Sequence, residues 1–237
     1  MLRDNDATPL YQQLKEIIRA MIDKGELKPG DQIPSENELA ERYKVSRITI
    51  RRTLADLVKE GLLSRKQGKG TFVAAPKIER ELVSVSSFSD RMRSKGYIPG
   101  ARVISIKLIE ASPEVRKNLG LSEGELVIAI ERLRLTNGEP VVLENSFISY
   151  SAFPGVLEAD INMGSLYQFL KEKYKIVPSS SKKTLELTIA NEYEARLLQI
   201  YPGQPLFLLK ALVLSDDNRP VEYVKTLLRG DRFKFQI

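Results

Sequence analysis

The first third of this 237-residue chain is its most constraining part: three short amphipathic segments, each with its own start or stop signal, run straight into a glycine turn. In PLYQQLKEIIRAMIDK, residues 9–24, Leu10, Leu14, Ile17, Ile18 and Met21 fall on one stripe at helical spacing. Pro9 suits a first helical turn and Gly25 a stop. LKPGDQIPS follows as a turn-rich connector. Ser35 and Glu38 then make an S-x-x-E capping box, which predicts a second helix through ENELAERYK with Leu39, Ala40 and Tyr43 inward. After the short turn KVS, Ser46 is a good N-cap for a third helix, whose Ile50, Leu54, Leu57 and Val58 share a face and which Gly61 ends. LLSRK and GTFVA flank QGKG, the pattern of a β-hairpin.

Charge is concentrated where the third helix and the hairpin meet. From Arg42 to Lys69 nine lysines and arginines face only Asp56 and Glu60, a net +7 against +6 for the whole chain. Three helices and a hairpin fit a winged helix-turn-helix, in which the start of the second helix of the turn enters the DNA major groove. Arginine suits that position because its fork binds the O6 and N7 of guanine together. Arg51 and Arg52 lie beside the apolar stripe, and Arg47 sits in the first turn, where it can project past the core. Thr49, on the opposite flank, is placed for a phosphate, and Ile48 faces outward toward a thymine methyl. Gly68 in the hairpin turn permits a close backbone approach, flanked by Lys66 and Lys69. A solvated cationic face on a small helical bundle is the plainer alternative.

Beyond residue 75 the pattern changes. APKIERELVSVS has no clear period and is read as a linker, so the expected domains are 1–75, a linker 76–86, and 87–237. The last of these alternates strand-like runs (ARVISIKLIEA, ELVIAIERLRLT, PVVLENSFIS, KKTLELTIA, PLFLLKALVLS, RPVEYVKTLLR) with short helical ones (SFSDRMRSKG, SPEVRKNLG, SLYQFLKEKY, NEYEARLLQ). Asn137-Gly138 and the SDDNRP segment read as hairpin turns, which makes the sheet antiparallel and the fold class α+β. Arg132 and Arg134 are two apart on a strand and so share a face, an unfavourable pairing unless an anion or carboxylates lie between them. Ser165 can cap the helix that follows it, and a helix N-terminus favours anions. Duller roles are open for each: a solvated sheet face, pairing with Glu131, Glu144 or Glu186, a simple cap at Ser165, and a core position for Tyr167.

The run PLYQQLKEIIRAMIDKGELKPGDQIPSENELAERYKVSRITIRRTLADLVKEGLLSRKQGKGTFV resembles the GntR family of bacterial transcription regulators. SFSDRMRSKG, ERLRLTNGEPVVLENSFI, SLYQFL and the closing RGDRFKF are similar to the UTRA domain of its HutC subfamily, whose fold is chorismate-lyase-like. The resemblance covers nearly the whole chain. It implies a homodimeric repressor of double-stranded operator DNA, pseudo-palindromic in sequence, released by a small anionic effector, a sugar phosphate or carboxylate. The DNA-contacting set it implies is Asn37, Ser46, Arg47, Thr49, Arg51, Arg52, Gln67, Gly68 and Lys69, with Arg47, Thr49 and Arg51 in the major groove and Gly68 at the wing tip. The implied effector set is Phe88, Ser89, Arg132, Arg134, Glu144, Ser165, Leu166, Tyr167 and Glu222, with both glutamates toward sugar hydroxyls. Two positions depart from the family pattern: Asn37 stands where arginine is common, and Leu228 where sugar-phosphate binders often have tyrosine.

Histidine and cysteine are both absent, which excludes disulfides, thiol nucleophiles, most hydrolase triads and the usual zinc sites. No cofactor or metal is expected. No apolar run reaches the length of a membrane span, and the N-terminus lacks a signal peptide's basic and apolar regions, so the expected location is cytoplasmic. Two other functions are weighed against a regulator: a chorismate-lyase-like enzyme using Arg132, Arg134 and Glu222, and an effector-free architectural DNA-binding protein with a dry C-terminal core.

Overall fold

A computed structural model describes residues 8–66, 68–82, 86–159 and 166–236. The chain divides into two compact units, Met1–Lys77 and Ile78–Ile237.

In the first unit, helices α1 (Leu10–Asp23), α2 (Glu36–Tyr43) and α3 (Arg47–Lys59) precede an antiparallel hairpin of β1 (Leu63–Lys66) and β2 (Gly70–Val73). The expected stripes converge on one core: Leu14 and Ile18 from α1, Leu39 from α2, and Ile50, Leu54 and Leu57 from α3, closed by Leu63 and Val73 of the hairpin. The capping box at α2 is complete. Ser35 Oγ accepts from the Glu38 amide at 3.3 Å, and Glu38 Oε2 accepts from the Ser35 amide at 2.7 Å. Ser35→Ala should therefore cost about 1 kcal/mol of stability in this unit, read as a lowered midpoint in urea titration; an unchanged midpoint would show that water replaces the cap without loss.

The second unit is a six-stranded antiparallel sheet, order β4-β5-β6-β9-β8-β7, formed by β4 (Pro99–Glu110), β5 (Leu126–Thr136), β6 (Glu139–Ser149), β7 (Pro178–Ile189), β8 (Pro205–Ser215) and β9 (Pro220–Arg229). Asn137 (φ 50°) and Gly138 (φ 79°) close the β5–β6 hairpin, two left-handed residues whose twist matches that of the strands. Four helices, α4 (Phe88–Ser94), α5 (Pro113–Leu119), α6 (Leu166–Tyr174) and α7 (Glu192–Leu198), cover the sheet. Ala195, Leu197 and Leu198 of α7 pack with Leu133, Leu143 and Leu227, and Val115 and Leu119 of α5 pack with Val127 and Tyr223, so both helices lie on one face. Phe88 and Met92 of α4 pack with Val142, Leu209 and Leu228, and Leu166 and Leu170 of α6 with Ile128, Ile130 and Ile148, on the other.

Two elements lie outside the sequence expectation. Residues 78–81, placed in a linker by sequence, are strand β3 (Ile78–Glu81), paired in parallel with β10 (Phe233–Gln236) at the end of the chain. The linker reading fails there because its evidence was local: β3 is only four residues long, and its partner is some 150 residues away in sequence. Buried Ile78 and Phe233 anchor this pair in the same core cluster as Phe88 and Met92. Leu228, fully buried, belongs to that cluster too.

Candidate functional site

Glu36, the first residue of α2, ties the first unit's cationic elements together. Its Oε2 accepts from both Nε and Nη2 of Arg51 at 3.1 Å, and its Oε1 lies 4.0 Å from Arg65 of the hairpin. Arg51 nevertheless keeps more than half of its side chain exposed, and this partner aims the guanidinium rather than hiding it. Arg47 and Asn37 are exposed, and Ile48 is 81% exposed, so an isoleucine is held in water at the tip of α3. Ser46 caps α3 by accepting from the Thr49 amide, and the two hydroxyls are 2.9 Å apart. Arg52 behaves differently: its guanidinium stacks 3.8 Å from the ring centre of Tyr11 on α1, which gives it a packing role that the sequence reading did not foresee.

The hairpin turn is fixed from outside. Gln32 Nε2 donates to the Lys69 carbonyl at 3.0 Å, and a Cβ on Gly70 would meet that same amide nitrogen at 2.9 Å. Gly68 has φ 70° and is exposed, as is Lys69. Gln67 lies outside the described residues.

In the second unit, the sheet face under α4 and α6 carries a cleft of about 700 Å³, counting its open mouth. Seven of the nine expected effector residues line it: Phe88, Arg132, Arg134, Glu144, Leu166, Tyr167 and Glu222. Strand pairing explains the grouping. Arg132 of β5 is opposite Glu144 of β6, Glu144 opposite Thr226 of β9, and Thr226 opposite Leu209 of β8, one row across the sheet. Ser89 lies just behind, accepting from Arg134 Nη2 at 3.0 Å. Ser165 lies outside the described residues.

Arg132 and Arg134 are 4% and 3% exposed, and their partners are few. One Nη of Arg132 pairs with Glu144, and Arg134 bonds Ser89 and stacks over the Phe88 ring at 4.8 Å. Nε and Nη1 of both arginines are buried and have no hydrogen-bond partner among the described residues. Burial pushes the Glu144 carboxyl up, but Arg132 and Arg134 overrule it and hold it below the usual carboxylate range. Glu222 goes the other way: burial, then the charge of Glu144, raises it, although Tyr167 donates to it at 2.8 Å.

The sequence reading missed three further cations that line the same cleft, Arg80, Arg91 and Lys183. Burial, then the charge of Arg91, pushes Arg80 down to about 9, and burial, then the charges of Arg80 and Arg91, pushes Lys183 down to about 8. Alternation places two of them once their strands are known, and only for Arg80 was it legible in the sequence. Ile78 and Arg80 alternate with Glu79 and Glu81 in IERE, and Ser181 and Lys183 alternate along β7. Among the described residues no group of His, Cys, Asp or Glu could hold a metal ion, and no helix is long and apolar enough to cross a membrane.

Comparison with known proteins fits both units. The family "Bacterial regulatory proteins, gntR family" matches residues 10–73, and the UTRA domain family matches residues 94–234. The uncharacterized HTH-type transcriptional regulator YurK of Bacillus subtilis (strain 168) is 36% identical over 237 residues, 100% of this chain and 98% of that protein. The HTH-type transcriptional repressor NagR of the same organism is 38% identical over 228 residues, 96% of this chain and 93% of that protein. Among solved structures, PhnF from Mycobacterium smegmatis matches with a TM-score of 0.67 at 29% identity, over 94% of this chain and 96% of that one.

Proposed function

Since the chain belongs to the GntR family of bacterial transcription regulators and carries that family's UTRA domain, we propose that it represses transcription from a pseudo-palindromic operator and is released by a sugar phosphate. Its relatives are transcriptional regulators rather than enzymes, which sets the lyase alternative aside. The observation that carries the effector half is the pair Arg132 and Arg134: buried guanidinium N–H groups without partners among the described residues are costly, and an oxyanion satisfies several at once. The cleft also speaks against an effector-free architectural protein, which would have no use for buried cations. Glu144 and Glu222 are acceptors suited to the hydroxyls of a sugar, and Tyr167 orients Glu222. The operator half rests on Arg47, Arg51, Thr49 and the hairpin turn at Gly68 and Lys69, with two copies of the chain on two half-sites.

Two measurements test it. Selection from random duplexes should yield an inverted repeat bound in the nanomolar range, with affinity falling steeply between low and moderate salt. On that site Arg51→Ala should cost about 1–3 kcal/mol and relax one base preference, whereas equal loss on every duplex would make Arg51 a backbone contact. A thermal-shift screen of sugar phosphates on the full chain should find a compound that both stabilises the protein and releases the operator. Stabilisation without release would leave a binding protein, not a repressor controlled by that ligand.

A further inference from the structure

Deepening the effector reading, on which it rests, we propose that the cleft has a second anion subsite, built by Arg80, Arg91 and Lys183 opposite Arg132 and Arg134, and that the effector is an elongated hydroxylated molecule with an anionic group at each end.

The strand order separates Lys183 from Arg132 and Arg134. Arg132 and Arg134 project from β5 and Lys183 from β7, with β6, β9 and β8 between them. Four strand-to-strand steps of about 4.8 Å place their Cα atoms roughly 19 Å apart. Extended arginine and lysine side chains each reach inward by about 6 Å at ordinary bond lengths, which leaves about 7 Å between the charged heads. One phosphate cannot reach Lys183 and the Arg132–Arg134 pair together across that gap, whereas the ends of a six-carbon chain can.

The second group is held together by the segment between β3 and α4. Arg91 Nη2 donates to the Ser86 carbonyl at 2.8 Å and to Ser86 Oγ at 3.1 Å, and Lys183 Nζ donates to the Leu82 carbonyl at 2.7 Å. The acceptors of Arg91 are neutral and offset little charge. Arg91 Nε is buried and has no hydrogen-bond partner among the described residues. Glu81 and Glu144 act on Arg91 only at a distance. Charge counting points the same way. Five cations line the cleft against two carboxylates, Glu144 and Glu222, and the second of these is raised toward its neutral form. A single phosphate brings about −1.5 to −2, too little to neutralise the remainder, and a second anionic group closes the difference.

The test avoids any assumption about the sugar. Crystals of the full chain soaked in selenate are expected to show two anomalous peaks in the cleft of each protomer, one at Arg132 and Arg134 and one at Arg80, Arg91 and Lys183. In the double variant Arg80→Gln, Lys183→Gln only the second peak should disappear. Its effector-free melting temperature should equal or exceed the parent's, because two mutually repelling half-buried cations are gone; the wild-type result stands by itself if that variant does not fold. An ion at Arg132 and Arg134 alone, or one ion shared by all five side chains, overturns the second subsite and leaves the effector reading intact. No ion at either place overturns both.

Discussion

Arg229→Ala is expected to destabilise the second unit by about 3 kcal/mol, the lower end of the range for stripping one partner from a buried ionic cluster. Arg229 is 4% exposed, and each of its three guanidinium nitrogens is engaged. Nε and Nη2 bind the two oxygens of Asp231 at 3.1 and 2.7 Å, and Nη1 donates to Glu139 Oε1 and the Pro140 carbonyl, both at 3.0 Å. Burial opposes the charge, yet Asp231 and Glu139 outweigh it and raise the guanidinium above its ordinary value, so it stays protonated. Glu139 keeps Arg232 at 3.3 Å in the variant, and Asp231 is about a third exposed, which is why the lower end applies. At about 2–4 °C per kcal/mol for a unit of this size, the melting temperature should fall by roughly 6–12 °C. Arg229→Lys should lose less, keeping the charge but not the fork. A fall of under 2 °C would mean that solvent satisfies Asp231 and Glu139 as well as Arg229 does. The RGDR motif would then not be what holds the end of β9 to the hairpin of β5 and β6.

That motif also shows where sequence reading stops. The helical stripes of the first unit were legible because each is local: Ile50, Leu54 and Leu57 recur at helical spacing, and Ser35 with Glu38 announces its helix three residues ahead. Strands β4 to β9 were legible by alternation and by turn residues such as Asn137-Gly138. The order of those strands was not, because β6 beside β9 is a pairing across some 80 residues that no local pattern encodes. For the same reason β3 was taken for linker, and Arg80 was lost with it. Arg132 and Arg134 could be singled out because two guanidinium groups on one strand face demand an explanation. Lys183 could not, since neighbouring Lys182 gives the segment the look of a solvated edge, and only the strand's orientation shows that the two point to opposite sides. Leu228 illustrates the reverse: it was noted as a departure from sugar-phosphate binders, and it fills the core beside Phe233 rather than lining the cleft.

The largest functional effect is expected at Arg134. With Nε and Nη1 buried and without a partner among the described residues, it offers an oxyanion two charge-assisted hydrogen bonds, each worth about 1.5–3 kcal/mol. Arg134→Met should therefore weaken the best sugar phosphate from the thermal screen by about 10² to 10⁴-fold, at roughly tenfold per 1.4 kcal/mol. The effector-free protein should suffer far less. Arg134 is pushed below its ordinary value by burial, with Arg132 adding to the shift, so methionine removes a cost while retaining contact with the Phe88 ring. Operator affinity without effector should stay within about twofold, and the operator complex should become insensitive to the sugar phosphate. That separation distinguishes a ligand contact from a structural prop: a prop would lower the effector-free melting temperature and disturb operator binding along with it. Because a ligand shifts a conformational equilibrium only by its differential affinity for the two states, losing this contact removes the lever itself, and repression should persist at effector concentrations that fully release the parent protein.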